Sequence, residues 1–324
     1  MTITDGALEV EVELDDDALN VRWEPVGARE VDIGWGPTPD PAAHTHVLRV
    51  PVGERLVRLA DPPAGRTYVS VSHDGTVVVA AERRLHFQGG PNFRDLGGYP
   101  TISGGRIRWG QVFRSGALHE LTDGDLAAFD GLGIRAIYDV RGEKEYAEEP
   151  GPRPSRNLPM PARFSETPDL SPLRERSDGE QWLFDDYRVM VAEGGSVFGG
   201  VLSGLAETDG APAVIHCAGG KDRSGLTVAM LLSWLGVDRE TILDDYQLTM
   251  RYLPIESMSA FVDEMEELGI GRPAAEALLG TPRWVMAETL DLVDTDHGGI
   301  EAYLRGGASM STEALDELRM RFVG

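Results

Sequence analysis

The run VIHCAGGKDRSGL at residues 214–226 passes from an apolar, β-branched stretch through a glycine-rich charged loop into a second apolar stretch. AVIHC (213–217) predicts a strand, and SGLTVAMLLSWLG (224–236) predicts a helix closed by Gly236. That order sets the loop's backbone N–H groups at a helix N-terminus, which binds anions and phosphate above all. Gly219 and Gly220 let the backbone turn tightly with its amides inward. Arg223 stands six positions after Cys217. A loop that curls once brings its guanidinium back over the thiol, where it can hold two phosphate oxygens at once. Cys217 is the only cysteine in the chain. A helix N-terminus and nearby cations favour its thiolate, a nucleophile for covalent phosphoryl transfer. Ser224, at the helix start, is placed to hydrogen-bond the sulfur and help it leave in a second step. A buried core thiol is the plain alternative; the Cys-x5-Arg-Ser spacing between strand and helix argues against it. A nucleotide-binding loop needs Gly-x4-Gly-Lys-Ser/Thr, and here Ile215 replaces the first glycine and Asp222 follows Lys221.

Upstream, the chain has two textures. In residues 1–87, LEVEVEL (8–14), LNVRWEP (19–25), VDIGWG (31–36), HVLRVPV (46–52), RLVRLA (55–60) and TYVSVSHDGTVVVAAE (67–82) alternate apolar and polar residues between turn signals. Asp74-Gly75 marks a hairpin. Six or seven short strands predict a β-sandwich, an interaction module or spacer. His44 and His46 are placed to share one face of a strand, but no third metal ligand stands near them. From residue 88 to 324 the pattern predicts an α/β domain with helices enclosing a sheet. GGYPTISGGRIRWGQVFRSG (97–116) reads as hairpin material, and Thr122 with Asp125 as the cap of a helix. RAIYDV (135–140) reads as a buried strand and residues 150–178 as a long loop. Leu183, Tyr187, Met190 and Val191 recur at helical spacing, as core or as the underside of a lid over 150–195. Further helices are expected at 238–250, 255–268, 283–293 and 311–322.

The 324 residues carry 54 acidic and 30 basic side chains, a net charge of −24. Such a surface repels nucleic acid and anionic lipid head groups, so any phosphate must be held by a local positive field. No apolar run approaches the ~20 residues of a membrane helix. The first residues lack the basic and apolar regions of a signal peptide, and a lone cysteine fits a reducing cytoplasm. Stable membrane insertion is therefore not expected.

HCAGGKDRSG (216–225) resembles the active-site motif of the cysteine-based protein tyrosine phosphatases, nearest to a bacterial group that acts on phosphotyrosine and lipids. NFRDLGGY (92–99), VFRSGAL (112–118), LGIRAIYDVRGEKEY (132–146) and LLSWLGVDRETILDDYQLT (231–249) resemble that family in the same order. Trp23 on an early strand and Tyr68 on a late one resemble a fibronectin type III domain. The family resemblance implies that Cys217 attacks phosphorus and Arg223 holds the phosphoryl oxygens. A carboxylic acid then protonates the leaving oxygen and later activates water. No cofactor or metal is implied. Asp139, Asp222 and Asp95 are the candidates for that acid, each with a structural salt bridge as the alternative, Asp139 with Arg141 and Asp95 with a nearby arginine. Ala218, Gly219, Gly220, Lys221 and Ser224 would line the phosphate, with Lys221 either solvated or contacting a second phosphate. His216 would hydrogen-bond the loop and support the thiolate. A phosphotyrosine protein or a phosphoinositide is the implied substrate. A rhodanese-like sulfurtransferase and a non-catalytic phospho-binding module are the competing readings.

Overall fold

The computed structural model describes residues 3–5, 8–15, 18–24, 30–60, 62, 65–163, 170 and 172–324. Alternating apolar positions in the first part fold as expected into strands β2 (Leu8–Asp15), β3 (Ala18–Glu24), β4 (Val31–Gly36), β5 (His46–Val50), β6 (Leu56–Ala60), β7 (Tyr68–His73) and β8 (Thr76–Ala81), preceded by a short strand β1 (Ile3–Asp5) that the pattern did not predict. They form two antiparallel sheets, ordered β1-β2-β3-β6 and β5-β4-β7-β8. Leu8, Val10 and Val12 of β2 are buried, while Glu9 between them is exposed. Asp74 and Gly75 both take positive φ, 49° and 84°, as a two-residue hairpin turn of the primed type needs. Trp23 and Tyr68 lie in this core, consistent with a fibronectin type III-like sandwich, and Trp109 joins them from the following part of the chain. His44 precedes β5 rather than sharing it. Its ring nitrogens hydrogen-bond Ser70 Oγ and the Thr38 carbonyl, while His46 stacks on Trp35.

A third sheet comprises β9 (Arg94–Asp95), β10 (Val112–Ser115), β11 (Ala136–Asp139), β12 (Arg156–Asn157) and β13 (Ala213–His216), ordered β12-β11-β13-β10-β9. Central β13 runs parallel to β10 and β11, and every residue of these three strands is buried. Such burial on both faces is the signature of parallel strands under helices. The helices are α1 (Asp123–Gly131), α2 (Glu143–Glu148), α3 (Arg176–Glu193), α4 (Gly195–Ala206), α5 (Arg223–Trp234), α6 (Arg239–Tyr252), α7 (Ser259–Glu267), α8 (Arg272–Leu279), α9 (Arg283–His297), α10 (Ile300–Gly306) and α11 (Thr312–Phe322). Thr122 and Asp125 cap α1 reciprocally.

Two expectations need correction. Only part of residues 97–116 is hairpin-like: 98–107 turn back through Gly98–Ile107, Ile107–Tyr99 and Thr101–Gly105 backbone bonds and an isolated Pro100–Arg106 bridge, while Val112–Ser115 joins the central sheet, parallel to β13 and antiparallel to β9. The 150–178 loop contains β12 and ends where α3 begins at Arg176; residues 164–169 and 171 of it, and of the lid expected over 150–195, lie outside the described residues. Leu183, Tyr187, Met190 and Val191 of α3 join the main core, the first of the two readings of their periodicity. Among the described residues no single helix is long and apolar enough to cross a membrane.

Candidate active site

Strand β13 ends at His216, and α5 opens at Arg223, so Cys217–Asp222 lie at the carboxyl end of the central strand. The orientation of this loop follows from where its carbonyls go. The Ala218 carbonyl accepts from Ala117 N at 2.7 Å. Asn92 Nδ2 donates to the carbonyls of Gly219 and Gly220 at 3.1 and 3.0 Å. Arg114 Nη2 donates to those of Gly220 and Lys221 at 2.7 and 3.1 Å. In a planar trans peptide the N–H points opposite to the C=O. Tying four successive carbonyls to the scaffold therefore turns the amides of residues 219–222 the other way, and among the described residues no acceptor takes them. The result is a nest of donors at the start of α5. Gly220 has φ +68°, and a Cβ there would lie 2.5 Å from the Ser115 carbonyl carbon.

Cys217 is 2% exposed, with Sγ 3.4 Å from Ser224 Oγ. Arg114 and Arg223 act on the sulfur electrostatically. Arg223 donates from both terminal nitrogens to Glu145 of α2, at 2.5 and 2.9 Å. Glu145 also accepts from Gly142 N, which fixes it at the first turn of its own helix. Burial disfavours the Arg223 charge, but Glu145 and the Cys217 sulfur outweigh it. Beneath the loop, Asp245 of α6 accepts from Arg94 Nε (3.0 Å), Arg114 Nη1 (2.6 Å) and Tyr99 Oη (2.8 Å). Burial works against this carboxylate, yet the two guanidiniums hold its carboxyl well below the usual range. Two buried cations facing one buried anion leave a positive charge under the loop. That is how so acidic a chain can hold an anion locally.

The aspartates separate clearly. Asp139 is fully buried. It accepts four hydrogen bonds from Arg141, and its Oδ2 lies 3.4 Å from His216 Nε2. The salt bridge with Arg141, offered as its alternative, is what forms. Asp95 is also fully buried, accepting from Gly97 N and Gly110 N and pairing with Arg66 of the sandwich at 3.0 Å. It belongs to the junction of the two parts and not to the loop. Asp222 alone sits on the loop with a partly exposed side chain. It stands at the N-cap of α5 without capping it; Oδ1 accepts from Tyr187 Oη at 3.0 Å and faces Lys221 Nζ at 3.3 Å. Lys221 is neither solvated nor free for a second phosphate: its buried ammonium donates to the carbonyls of Leu278 and Gly280 at the end of α8. His216 faces Asp139 and the Cys217 carbonyl, and burial pushes its pKa down to about 4, so it stands neutral.

Asn92, Arg94, Arg114, Glu145 and Asp245 were not singled out in the sequence, although each lies in a stretch with family resemblance. The available signal was a charged residue inside an otherwise apolar run, as Arg114 is in VFRS and Asp245 is on the buried face of α6.

Residues 85–324 match the tyrosine phosphatase family. The chain is 27% identical over 275 residues to the triple specificity protein phosphatase PtpB of Mycobacterium tuberculosis, covering 72% of this chain and 96% of that protein. It is 25% identical over 219 residues to a tyrosine-protein phosphatase of Nostoc commune, covering 64% and 72%. Among solved structures, the core catalytic domain of the PP-IP phosphatase SIW14 from S. cerevisiae aligns with 57% of this chain and 99% of its own, at 12% identity and a TM-score of 0.26. That similarity is too distant to bear on the fold.

Proposed function

The chain belongs to the tyrosine phosphatase family, and on that premise we propose that it hydrolyses phosphate monoesters with Cys217 as nucleophile, Arg223 and the loop amides as the phosphate clamp, and Asp222 as the proton donor. The observation that carries this assignment is the tethering of the loop carbonyls to the scaffold, which leaves the amides of residues 219–222, in the same loop as Cys217, without an acceptor among the described residues. In the first step the sulfur attacks phosphorus, the P–O bond to the leaving group breaks, and Asp222 gives that oxygen its proton. In the second, water attacks the cysteinyl phosphate, its proton returns to Asp222, and the sulfur leaves with Ser224 as hydrogen-bond partner. Arg223, held in plane by Glu145, presents a fork to the equatorial oxygens, whose charge grows in the transition state. Asp139 and His216 position the end of the strand and stay out of proton transfer.

Family membership sets the sulfurtransferase reading aside. Phosphotyrosine in proteins is the proposed substrate class. The name of the M. tuberculosis relative supports assaying a wider range, phosphoinositides included. Lys221 is not assigned a phosphate contact, because its ammonium is already bound at the end of α8. Hydrolysis of p-nitrophenyl phosphate in EDTA is expected for the wild type and absent in Cys217→Ser. A serine variant that keeps its rate would falsify the covalent route.

A further inference from the structure

Asp186 is a buried carboxylate that the reaction above does not use. It lies on α3 next to Tyr187, whose hydroxyl donates to Asp222, and it is fully buried. Oδ1 accepts from the backbone N–H of Arg163. Oδ2 is buried and has no hydrogen-bond partner among the described residues. A buried carboxylate oxygen without a donor is costly and calls for a reason. The charged groups acting on Asp186 are Asp222 and Arg223 from the loop and Arg163 from the segment before α3. Tyr187, beside it on α3, and Tyr246 from α6 connect the same region through a shared hydroxyl–hydroxyl bond of 3.0 Å.

The immediate contacts of Asp222 are a cation, the Lys221 ammonium 3.3 Å away, and a donor, the Tyr187 hydroxyl. A proton donor surrounded in this way needs an opposing influence if it is to carry a proton when the substrate arrives. We propose that Asp186 is a positioning residue that supplies it: as a second carboxylate in electrostatic reach, it keeps the transferable proton on Asp222. The proposal rests on Asp222 being the acid. Two carboxylates that feel one another cannot both ionise freely, so the proton is retained by the pair to higher pH than either would hold it alone. Burial first, and the Asp222 charge with it, push the Asp186 carboxyl up to about 6. In the reaction Asp222 loses its proton to the leaving oxygen and recovers one from the attacking water. Asp186 makes and breaks no bond.

The test uses the full chain and two substrates, phenyl phosphate with a poor leaving group and p-nitrophenyl phosphate with a good one. Asp186→Asn keeps the acceptor for Arg163 N and removes the charge. The alkaline limb of kcat/KM on phenyl phosphate should move down by about one pH unit, with a roughly 5- to 10-fold loss at pH 7, while p-nitrophenyl phosphate changes less than 2-fold. In an Asp222→Asn background the Asp186→Asn change should add nothing. An alkaline limb that stays in place, or an equal loss on both substrates, overturns the coupling. If Asp222→Asn itself spares phenyl phosphate, the acid assignment fails instead, which separates the two readings. Should Asp186→Asn not fold, carboxyl NMR titration decides. The Asp186 signal should titrate near 6 in the wild type and lower in Asp222→Asn; an unchanged midpoint overturns the coupling.

Discussion

At the scale of single residues, the loop's two central glycines look interchangeable in sequence and are not. Gly220 combines φ +68° with backbone atoms of Ser115 and Gly116 that would lie 2.5–2.6 Å from any Cβ. Gly219 has only Leu253 Cδ2 near, at 3.9 Å from a Cβ there. Gly220→Ala should therefore displace the loop from Arg114 and Asn92, cutting kcat by at least 100-fold and destabilising the fold by about 2 kcal/mol or more. Gly219→Ala should keep the rate within 3-fold and the unfolding midpoint within error. Turnover and denaturant unfolding of both variants check this; equal losses would mean that the loop's tethering is not what the chemistry needs. The aspartates teach the same lesson. Asp139, Asp222 and Asp95 each read as a carboxylate near an arginine, and only the fold shows that two of them are fully buried in salt bridges.

At the scale of elements, what was legible depended on how local the cause is. Strand β13, the loop and α5 are fixed by a contiguous pattern, and the capping box of α1 by a four-residue one, so both could be read directly. Helix α4 could not, because GSVFGGVLSGLA carries four glycines, which local propensity counts against a helix. Here they are contact surfaces: a Cβ at Gly199 would lie 2.1 Å from the Ala308 carbonyl, and one at Gly204 2.6 Å from Tyr138 Oη. Tertiary packing overrides the propensity. Cys217, Arg223 and Ser224 were readable for the reason β13 was. The buttress of Asn92, Arg114, Asp245 and Thr249 was not, since its bonds join residues 131 and 157 positions apart. The end of β13 carries a pH prediction. An unfolded histidine takes its proton near pH 6.5, whereas buried His216 resists down to about 4. Between those values the unfolded state binds the extra proton. The contribution to stability is full above pH 6.5 and is lost as pH falls toward 4, on the order of 2–3 kcal/mol. Urea unfolding of wild type and His216→Asn between pH 7 and 4 should show their stability difference shrinking by that amount. A constant difference would mean that His216 takes its proton in the fold at the same pH as in the unfolded chain.

At the scale of the molecule, the sandwich and the phosphatase part meet through buried chemistry and not a bare linker. Trp109 packs into the sandwich core, and its indole N–H donates to the Val79 carbonyl. Arg66 pairs with fully buried Asp95, and its guanidinium lies 5.2–5.9 Å from the ring centroids of Tyr68, Trp109 and Phe113. Arg83 donates to the Asp95 carbonyl and sits 3.9 Å over the ring of Tyr99, whose hydroxyl holds Asp245. Asp245 in turn holds the arginine that tethers the loop. The sandwich thus reaches the nucleophile's loop through Arg83, Tyr99, Asp245 and Arg114, and we propose that residues 1–87 and 88–324 melt as one body. Arg66→Met tests it, because the change keeps the apolar stem and strands a buried carboxylate. It should cost about 3–5 kcal/mol and lower the thermal midpoint on the order of 10 °C. Tryptophan fluorescence, which reports both parts, Trp23, Trp35 and Trp109 in or against the sandwich core and Trp234 in the phosphatase core, should change in one transition that coincides with the loss of phosphatase activity. If activity outlasts the fluorescence change in either protein, the sandwich is a passenger and the loop stands without it.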